Sequence, residues 1–169
     1  MKQTRKKFIQ KIALGAGAFT LAPTIINAQE DKPQQLDPKM VQEFVSKSHS
    51  DISKVKELFN EEPNLLYCSH DWGGGDFETG IEAAGHVGNK EVANFLIEKG
   101  ARISLFTAAM LGNIEMVRPA LEAFPGLINS KGPHGFTLLH HANKGKEDAL
   151  EVKAYLESLG AKETKLSLF

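Results

Sequence analysis

The sequence has a single cysteine, Cys68, among its 169 residues, so it can form neither an intrachain disulfide framework nor a cysteine-rich zinc site. It also lacks a basic excess, because 20 lysine and arginine residues face 21 aspartate and glutamate residues. A strong basic excess accompanies nucleic-acid binding, so we expect no nucleic-acid partner. The hydrophobic share of 41% is still large enough for a domain-sized core, and the length favours one domain.

Long apolar runs are lacking except near the amino terminus, where residues 12–26 carry no charge and follow five basic residues. The run is shorter than the roughly 20 residues of a bilayer-spanning helix and is broken by glycine and proline. We therefore predict a signal peptide at residues 1–28, cleaved after Ala28, with no stable membrane insertion afterwards. A basic amphipathic helix retained in the cytoplasm is the alternative. Cleavage removes five basic residues and no acidic one, which leaves 15 basic against 21 acidic residues, a net charge of about −6.

Residues 4–9, Thr-Arg-Lys-Lys-Phe-Ile, resemble the twin-arginine export signal, with Lys6 in the place of the second arginine. Because that pathway recognises the arginine pair through a receptor, Sec export is an equal alternative. Both routes predict a periplasmic or secreted protein. Residues 29–36 are predicted to be a disordered leader. Asp37 and Pro38 then supply a helix cap and a first-turn proline, so the folded domain is expected at residues 37–161, before a tail at residues 162–169.

Comparison of the chain with itself reveals an internal repeat. Gly112 and Gly145 lie 33 residues apart in similar contexts, and Gly88 and Gly112 lie 24 residues apart. Residues 51–58 also match the segment that begins at Asn113, at an offset of 62. The spacing therefore predicts a stack of similar units.

Two segments, Thr-Leu-Leu-His-His-Ala at residues 137–142 and Thr-Gly-Ile-Glu-Ala-Ala at residues 79–84, resemble the motif Thr-Pro-Leu-His-x-Ala. This motif opens the first helix of an ankyrin repeat, whose period is 33 residues. The chain thus resembles the ankyrin-repeat family, as a bacterial, exported member. The resemblance implies an all-α fold, a solenoid of about four stacked helix-turn-helix units with irregular finger loops. The units are expected at residues 38–67, 77–101, 103–129 and 135–161.

Further expectations concern packing and capping. Each helix pair has one small-residue face, so neighbouring units must stack to bury it. The predicted core comprises Ala83, Ala84, Ala108, Ala109 and Ala142 in the first helices, and Val92, Phe95, Leu96, Val117, Leu121, Val152, Tyr155 and Leu156 in the second. Thr79 and Glu82 have capping-box spacing. The family resemblance implies that His140 hydrogen-bonds between repeats, whereas His86 and His141 are expected at the surface or at corners.

Departures from the period indicate where a function lies. The loop at residues 68–77 is about four residues longer than its counterpart, and no finger separates Ala101 from Ser104. The missing finger predicts a notch between residues 68–79 and 131–136. On these loops we predict a binding site for a protein partner of unknown identity, formed by Asp71, Trp72, Asp76, Phe77 and His134.

This hypothesis describes a monomeric, non-enzymatic interaction module without cofactor, metal or catalytic residues. Trp72 serves either as an aromatic anchor for the partner or as a plug under the glycine loop. The alternative hypothesis is a small-molecule or metal site in the notch, with or without enzymatic activity, formed by His70, Asp71, Asp76 and His134. A purely structural role is the third hypothesis. Cys68 is expected to be a partly buried, inert thiol.

Overall fold

Helices form most of the part of the chain that the computed structural model describes, residues 34–169. The elements are α1 (Pro38–Ser48), α2 (Ile52–Glu61), β1 (Ser69–Asp71), β2 (Phe77–Thr79), α3 (Gly80–Val87), α4 (Lys90–Glu98), α5 (Leu105–Met110), α6 (Ile114–Ala123), α7 (Leu138–Gly145) and α8 (Leu150–Ser158). Short 3₁₀ helices lie at Pro63–Tyr67, Pro125–Asn129, Pro133–Gly135 and Lys146–Ala149. Within residues 34–169, no helix is long and apolar enough to cross a membrane. The predicted signal peptide and residues 29–33 of the predicted leader lie outside the described residues.

Polar side chains determine where most of these helices begin. Asp37 accepts a hydrogen bond from the backbone N–H of Lys39, and Pro38 occupies the first turn of α1, as predicted. Thr79 and Glu82 form the predicted capping box of α3, each side chain accepting a bond from the other residue's backbone N–H. Five further residues accept a capping hydrogen bond at a helix start: Asp51, Asn89, Ser104, Asn113 and Thr137. Local sequence therefore defines the helix starts before any packing is considered.

The helices α1, α3, α5 and α7 form a continuous row, in which each packs against the next. Each also packs against the helix that follows it in the chain. The small side chains of the predicted alanines allow the helices to approach closely. All five alanines are at most 1% exposed: Ala83, Ala84, Ala108, Ala109 and Ala142. Burial is also confirmed for Val92, Leu96, Val117, Leu121, Val152 and Leu156, whereas Phe95 and Tyr155 are partly buried. The core thus follows the row of helices.

A two-stranded antiparallel hairpin lies where the sequence predicts a loop. Strands β1 and β2 pair in the register Ser69 with Thr79, His70 with Glu78 and Asp71 with Phe77. The three glycines of the turn, residues 73–75, all have positive φ, and the Asp71 carboxylate accepts hydrogen bonds from two of their N–H groups. Strands of three residues are too short to show an alternating pattern in the sequence. Residues 34–169 are therefore mostly helical, as predicted, but this segment is not.

The C-terminal segment, residues 162–169, is hydrogen-bonded to the residues that precede α7. Thr137 donates from its N–H to the carbonyl of Thr164 at 3.1 Å and from its hydroxyl to the carbonyl of Glu163 at 2.7 Å. Leu166 donates to the carbonyl of Gly135 at 2.8 Å. The predicted tail consequently lies against the loop that carries His134.

Candidate metal centre

Three histidines and a glutamate that are far apart in the sequence meet at one point of the fold. His49 directly follows α1, Glu78 is the central residue of β2, His86 lies near the end of α3, and His134 lies in the turn before α7. Each residue offers one donor atom, and these atoms all lie within 4.8 Å of one another. We refer to His49, Glu78, His86 and His134 as the His/Glu cluster.

Four donor-atom distances in the His/Glu cluster are close to those around a tetrahedral metal ion, and all donor atoms lie within 4.8 Å of one another. His49 Nε2 lies 2.9 Å from His86 Nε2 and 3.5 Å from Glu78 Oε2. Glu78 Oε1 lies 3.0 Å from His86 Nε2 and 3.6 Å from His134 Nε2. Zinc–ligand bonds of about 2.0–2.1 Å in a tetrahedron place neighbouring donors about 3.3 Å apart. A zinc ion therefore fits the cluster with small side-chain adjustments.

Glu78 supplies a buried carboxylate, with its side chain 0% exposed. Its Oε2 accepts a 2.8 Å hydrogen bond from Trp72 Nε1, whereas the nearest donor to its buried Oε1 is a cluster histidine, His86, with Nε2 at 3.0 Å. Burial raises the pKa of Glu78, but His86, the Trp72 N–H and His49 outweigh this effect and hold the pKa below its ordinary value. Among residues 34–169, the ion-pair partners of Glu78 are all histidines, which are charged only when protonated. A buried carboxylate without a permanent cation beside it favours a metal ion.

Hydrogen bonds on the far side of the ring orient two of the three histidines. His49 Nδ1 lies 2.9 Å from the carbonyl of Ser46 and 3.1 Å from that of Val45, and His134 Nδ1 lies 2.7 Å from Asp76 Oδ2. Because carbonyl and carboxylate oxygens only accept, these bonds assign the proton to Nδ1. The Nε2 atoms of His49 and His134 then carry lone pairs directed into the cluster. This is the usual arrangement behind metal-ligating histidines.

His134 has a backbone conformation that is unusual for a residue with a side chain. Its φ of 59° and ψ of 14° lie in the left-handed region. Both oxygens of Asp76 hold this one residue, since Oδ1 accepts from the His134 backbone N–H at 2.8 Å and Oδ2 accepts from the ring. A residue with a side chain keeps this strained backbone conformation only where its surroundings hold it, and such residues are common at functional sites. Asp76 is thus a positioning residue for His134.

The residues predicted to bind a partner are only partly brought together. His134 belongs to the His/Glu cluster, and Asp76 and Trp72 are hydrogen-bonded to its members. Asp71 instead closes the hairpin turn, and Phe77 is 59% exposed and has no contact with the cluster through a hydrogen bond. The predicted residues therefore support the cluster more than they form it.

The alternative ligand set, His70, Asp71, Asp76 and His134, contributes only His134 to the cluster. His70 packs edge-on against Trp72, with ring centroids 4.5 Å apart. Trp72 is 38% exposed while its indole N–H is bonded to Glu78, so it both supports the cluster and presents a face to solvent.

Sequence reasoning missed His49, Glu78 and His86. His86 and His141 do not lie at the surface, because they are 8% and 0% exposed, although His86 is near the corner after α3, as one of the two expectations has it. The sequence does contain a pattern that predicts burial of His86, since His86 follows Ala83 by three residues and so lies on the same helix face. Glu78, between Phe77 and Thr79, shows no such pattern.

His140 and Cys68 have structural roles. His140 Nε2 donates to the carbonyl of His86 at 2.9 Å, which joins α7 to α3 as the family resemblance implies. Burial raises the pKa of the partly exposed Cys68 thiol to about 11. The thiol is therefore protonated at neutral pH and a poor nucleophile or metal ligand.

No protein-family model matches the chain, and no curated protein matches it. The assignment of a function consequently rests on the positions and chemistry of the residues themselves. Within residues 34–169, the His/Glu cluster is the group of side chains whose arrangement indicates a function, namely metal binding.

Proposed function

We propose that the protein binds one divalent transition-metal ion, Zn²⁺ before others, through the His/Glu cluster. The observation that carries the proposal is the convergence of three imidazole nitrogens on the fully buried carboxylate of Glu78, which has no lysine or arginine partner within residues 34–169. In this proposal the protein is a metal-binding module rather than an enzyme.

The chemistry of the donors favours metals of the zinc type. Imidazole ligands suit Zn²⁺, Cu²⁺, Ni²⁺ and Fe²⁺, whereas Ca²⁺ and Mg²⁺ prefer six or more oxygen ligands. The cluster offers three nitrogens and one carboxylate, which matches the first group. His49 and His134 are oriented in advance by Ser46, Val45 and Asp76, so metal binding requires little reorganisation.

The proposal is tested by metal analysis of the purified full chain after chelation and reloading with Zn²⁺. We expect one zinc per chain, loss of tight binding in His86→Ala, and retained binding in the matched control His70→Ala. His70 is a suitable control because it is also a histidine but lies outside the ligand set. It is on the same hairpin as Glu78 and packs on Trp72. Failure of the wild type to hold zinc, or equal loss in both variants, contradicts the proposal.

We also propose that the domain is an ankyrin-repeat solenoid of four helix pairs, α1/α2, α3/α4, α5/α6 and α7/α8. Support comes from the row of first helices, from the threonine caps of α3 and α7, and from positive φ at the corner residues Gly88 and Gly112. An experimental structure in which successive pairs superpose with a constant rotation agrees with this proposal. Pairs that pack in unrelated directions contradict it.

Export of the protein to the periplasm or the medium is a further proposal, supported by the basic and apolar pattern of residues 1–28. Mass spectrometry of the protein from fractionated cells tests it. A mature amino terminus at residue 29 in the periplasmic or extracellular fraction is expected. An uncleaved chain confined to the cytoplasm contradicts it.

A second candidate function is binding of a protein partner at Asp71, Trp72, Asp76, Phe77 and His134. The observation in its favour is the exposure of two large side chains on one hairpin, 59% for Phe77 and 38% for Trp72. Phe77→Ala tests this function, since Phe77 is not a cluster residue. Phe124→Ala, at a residue 68% exposed, is the control. A partner captured by wild type and Phe124→Ala but lost with Phe77→Ala supports the candidate, and equal capture by all three contradicts it.

A further inference from the structure

The His/Glu cluster borders a wide-open cavity at the protein surface, about 580 Å³ in volume. Two of the cluster histidines, His86 and His134, line it together with Asp76 and Phe136. The rest of the lining comes from the C-terminal segment, Lys165 to Phe169. Cavities of roughly 300–1,000 Å³ are typical of small-molecule sites, so the volume suits a ligand larger than a water molecule or a simple ion.

Hydrogen bonds hold the wall formed by the C-terminal segment in place. Leu166 donates to the carbonyl of Gly135, and Lys131 Nζ donates to the carbonyl of Ser167 at 2.6 Å. Lys165 also forms an antiparallel bridge with Phe136. The segment therefore lines the cavity beside the metal ligands without contributing a donor to the His/Glu cluster.

The charges and apolar surfaces of the cavity select one ligand class. Lys165 brings an ammonium group, which lies 4.9 Å from the centre of the Phe136 ring and forms no salt bridge within residues 34–169. Both oxygens of Asp76, the lining carboxylate, are bonded to His134. Phe136, Leu166 and Leu168 add apolar surface. An anion with an apolar body complements this lining.

We propose that the cavity binds a small organic carboxylate, with one oxygen on the metal of the His/Glu cluster, its charge paired with Lys165 and its apolar body against Leu166 and Leu168. This inference rests on the proposed metal function. A zinc ion held by all four cluster residues is tetrahedral, and the carboxylate binds by expanding the coordination from four ligands to five, as happens in some catalytic zinc sites. His134, which lines the cavity and has about one quarter of its side chain exposed, gives the anion a route to the metal.

Cobalt substitution in the full chain tests the inference, because the visible absorption of Co²⁺ reports its ligands. The probe is 3-phenylpropionate, and the matched neutral compound is 3-phenylpropionamide. We expect the carboxylate, but not the amide, to change the Co²⁺ spectrum, and acetate, which lacks the apolar body, to do so only at higher concentration. Loss of the charge-assisted contact in Lys165→Gln is expected to weaken carboxylate binding about tenfold. Lys162→Gln, on the same segment but outside the cavity lining, should bind as tightly as the wild type.

The outcomes separate this inference from the metal function itself. If Co²⁺ does not bind, both the metal function and the carboxylate site are overturned. If Co²⁺ binds but 3-phenylpropionate leaves its absorption spectrum unchanged, the metal function stands and the carboxylate site is overturned. The same holds if the amide changes the spectrum as much as the carboxylate does. Equal carboxylate affinity in Lys165→Gln and Lys162→Gln likewise overturns the assigned role of Lys165 and with it the proposed site.

Discussion

At the scale of single residues, Asp76 controls the His/Glu cluster although it is not a ligand. Its two oxygens bind the backbone and the ring of His134, which fixes both the position and the tautomer of that histidine. An asparagine at this position presents an N–H₂ group to one of the two donors, so one hydrogen bond is lost and the tautomer is no longer defined.

We therefore expect Asp76→Asn to weaken Zn²⁺ binding about 10- to 100-fold, the usual effect of removing such a support. Competition with a chromogenic chelator measures this change. Asp71→Asn is the matched control, because Asp71 lies on the same hairpin but bonds only glycine N–H groups there, which an amide oxygen also accepts. Wild-type affinity in Asp76→Asn contradicts the role given to Asp76.

His141, which does not belong to the His/Glu cluster, makes the folded state sensitive to acid. Burial lowers its pKa from 6.5 to about 4, against the effect of the hydrogen bond from Nδ1 to the carbonyl of Thr137. In the unfolded chain the same ring binds a proton near pH 6.5, so the unfolded state takes up more protons between pH 6.5 and 4. As the pH decreases from 6.5 to 4, the free energy of unfolding therefore decreases, by up to about 3 kcal/mol.

His141→Leu is expected to flatten this pH dependence, since leucine binds no proton and leaves no bare Nε2 in the core. Urea unfolding of the chelator-treated proteins between pH 7 and 4 provides the comparison. His70→Leu, which removes a partly exposed imidazole from the hairpin, is the matched control. A slope in His141→Leu equal to that of the wild type shows that other groups carry the acid sensitivity.

At the scale of elements, glycines at helix ends determine how closely neighbouring helix pairs approach. Gly112 has a φ of 74°, and a Cβ atom there overlaps the carbonyl oxygen of Asp148, just before α8. Gly160 also has positive φ, 93°, but has open space around it, and Gly126 has neither constraint. These three positions separate backbone strain from steric overlap.

Substitution by alanine should destabilise the protein in the order Gly112, Gly160, Gly126. We expect less than about 0.5 kcal/mol for Gly126→Ala, about 1 kcal/mol for Gly160→Ala from its backbone conformation, and more than about 2 kcal/mol for Gly112→Ala. Chemical unfolding gives the three values. If Gly112→Ala does not fold, the comparison of Gly160→Ala with Gly126→Ala still decides, because equal stabilities remove the cost assigned to positive φ.

The helices were predictable from the sequence because their signals are local. Caps such as Asp37 and Thr79 act on residues two or three positions away, and the alanine faces recur along the chain. The hairpin was missed because each strand has three residues. The His/Glu cluster was missed because His49 and His134 lie at opposite ends of the row of helices in sequence, so no ligand spacing exists until the helices pack.

At the scale of the whole molecule, a metal in the His/Glu cluster joins segments that the chain itself connects only through long stretches. The ligands come from the end of α1, from β2 and α3, and from the turn before α7, all within the unit Gln35–Phe169. A metal that binds the folded chain alone stabilises it by about 2.7 kcal/mol when its free concentration is 100 times the Kd. For a domain of this size the melting temperature then rises by about 10 °C.

We expect this rise on adding Zn²⁺ to the chelated full chain, no comparable rise with Ca²⁺, and none in His86→Ala. Calorimetric or fluorescence melting curves measure it, with His70→Ala as the variant that should respond like the wild type. Because the ligands lie on different helix pairs, hydrogen exchange should slow together in α1, in α3 and around residues 133–135. Protection confined to the hairpin, or an equal rise in His86→Ala, means that zinc does not join these segments, and the metal is then a local surface ligand rather than part of the fold.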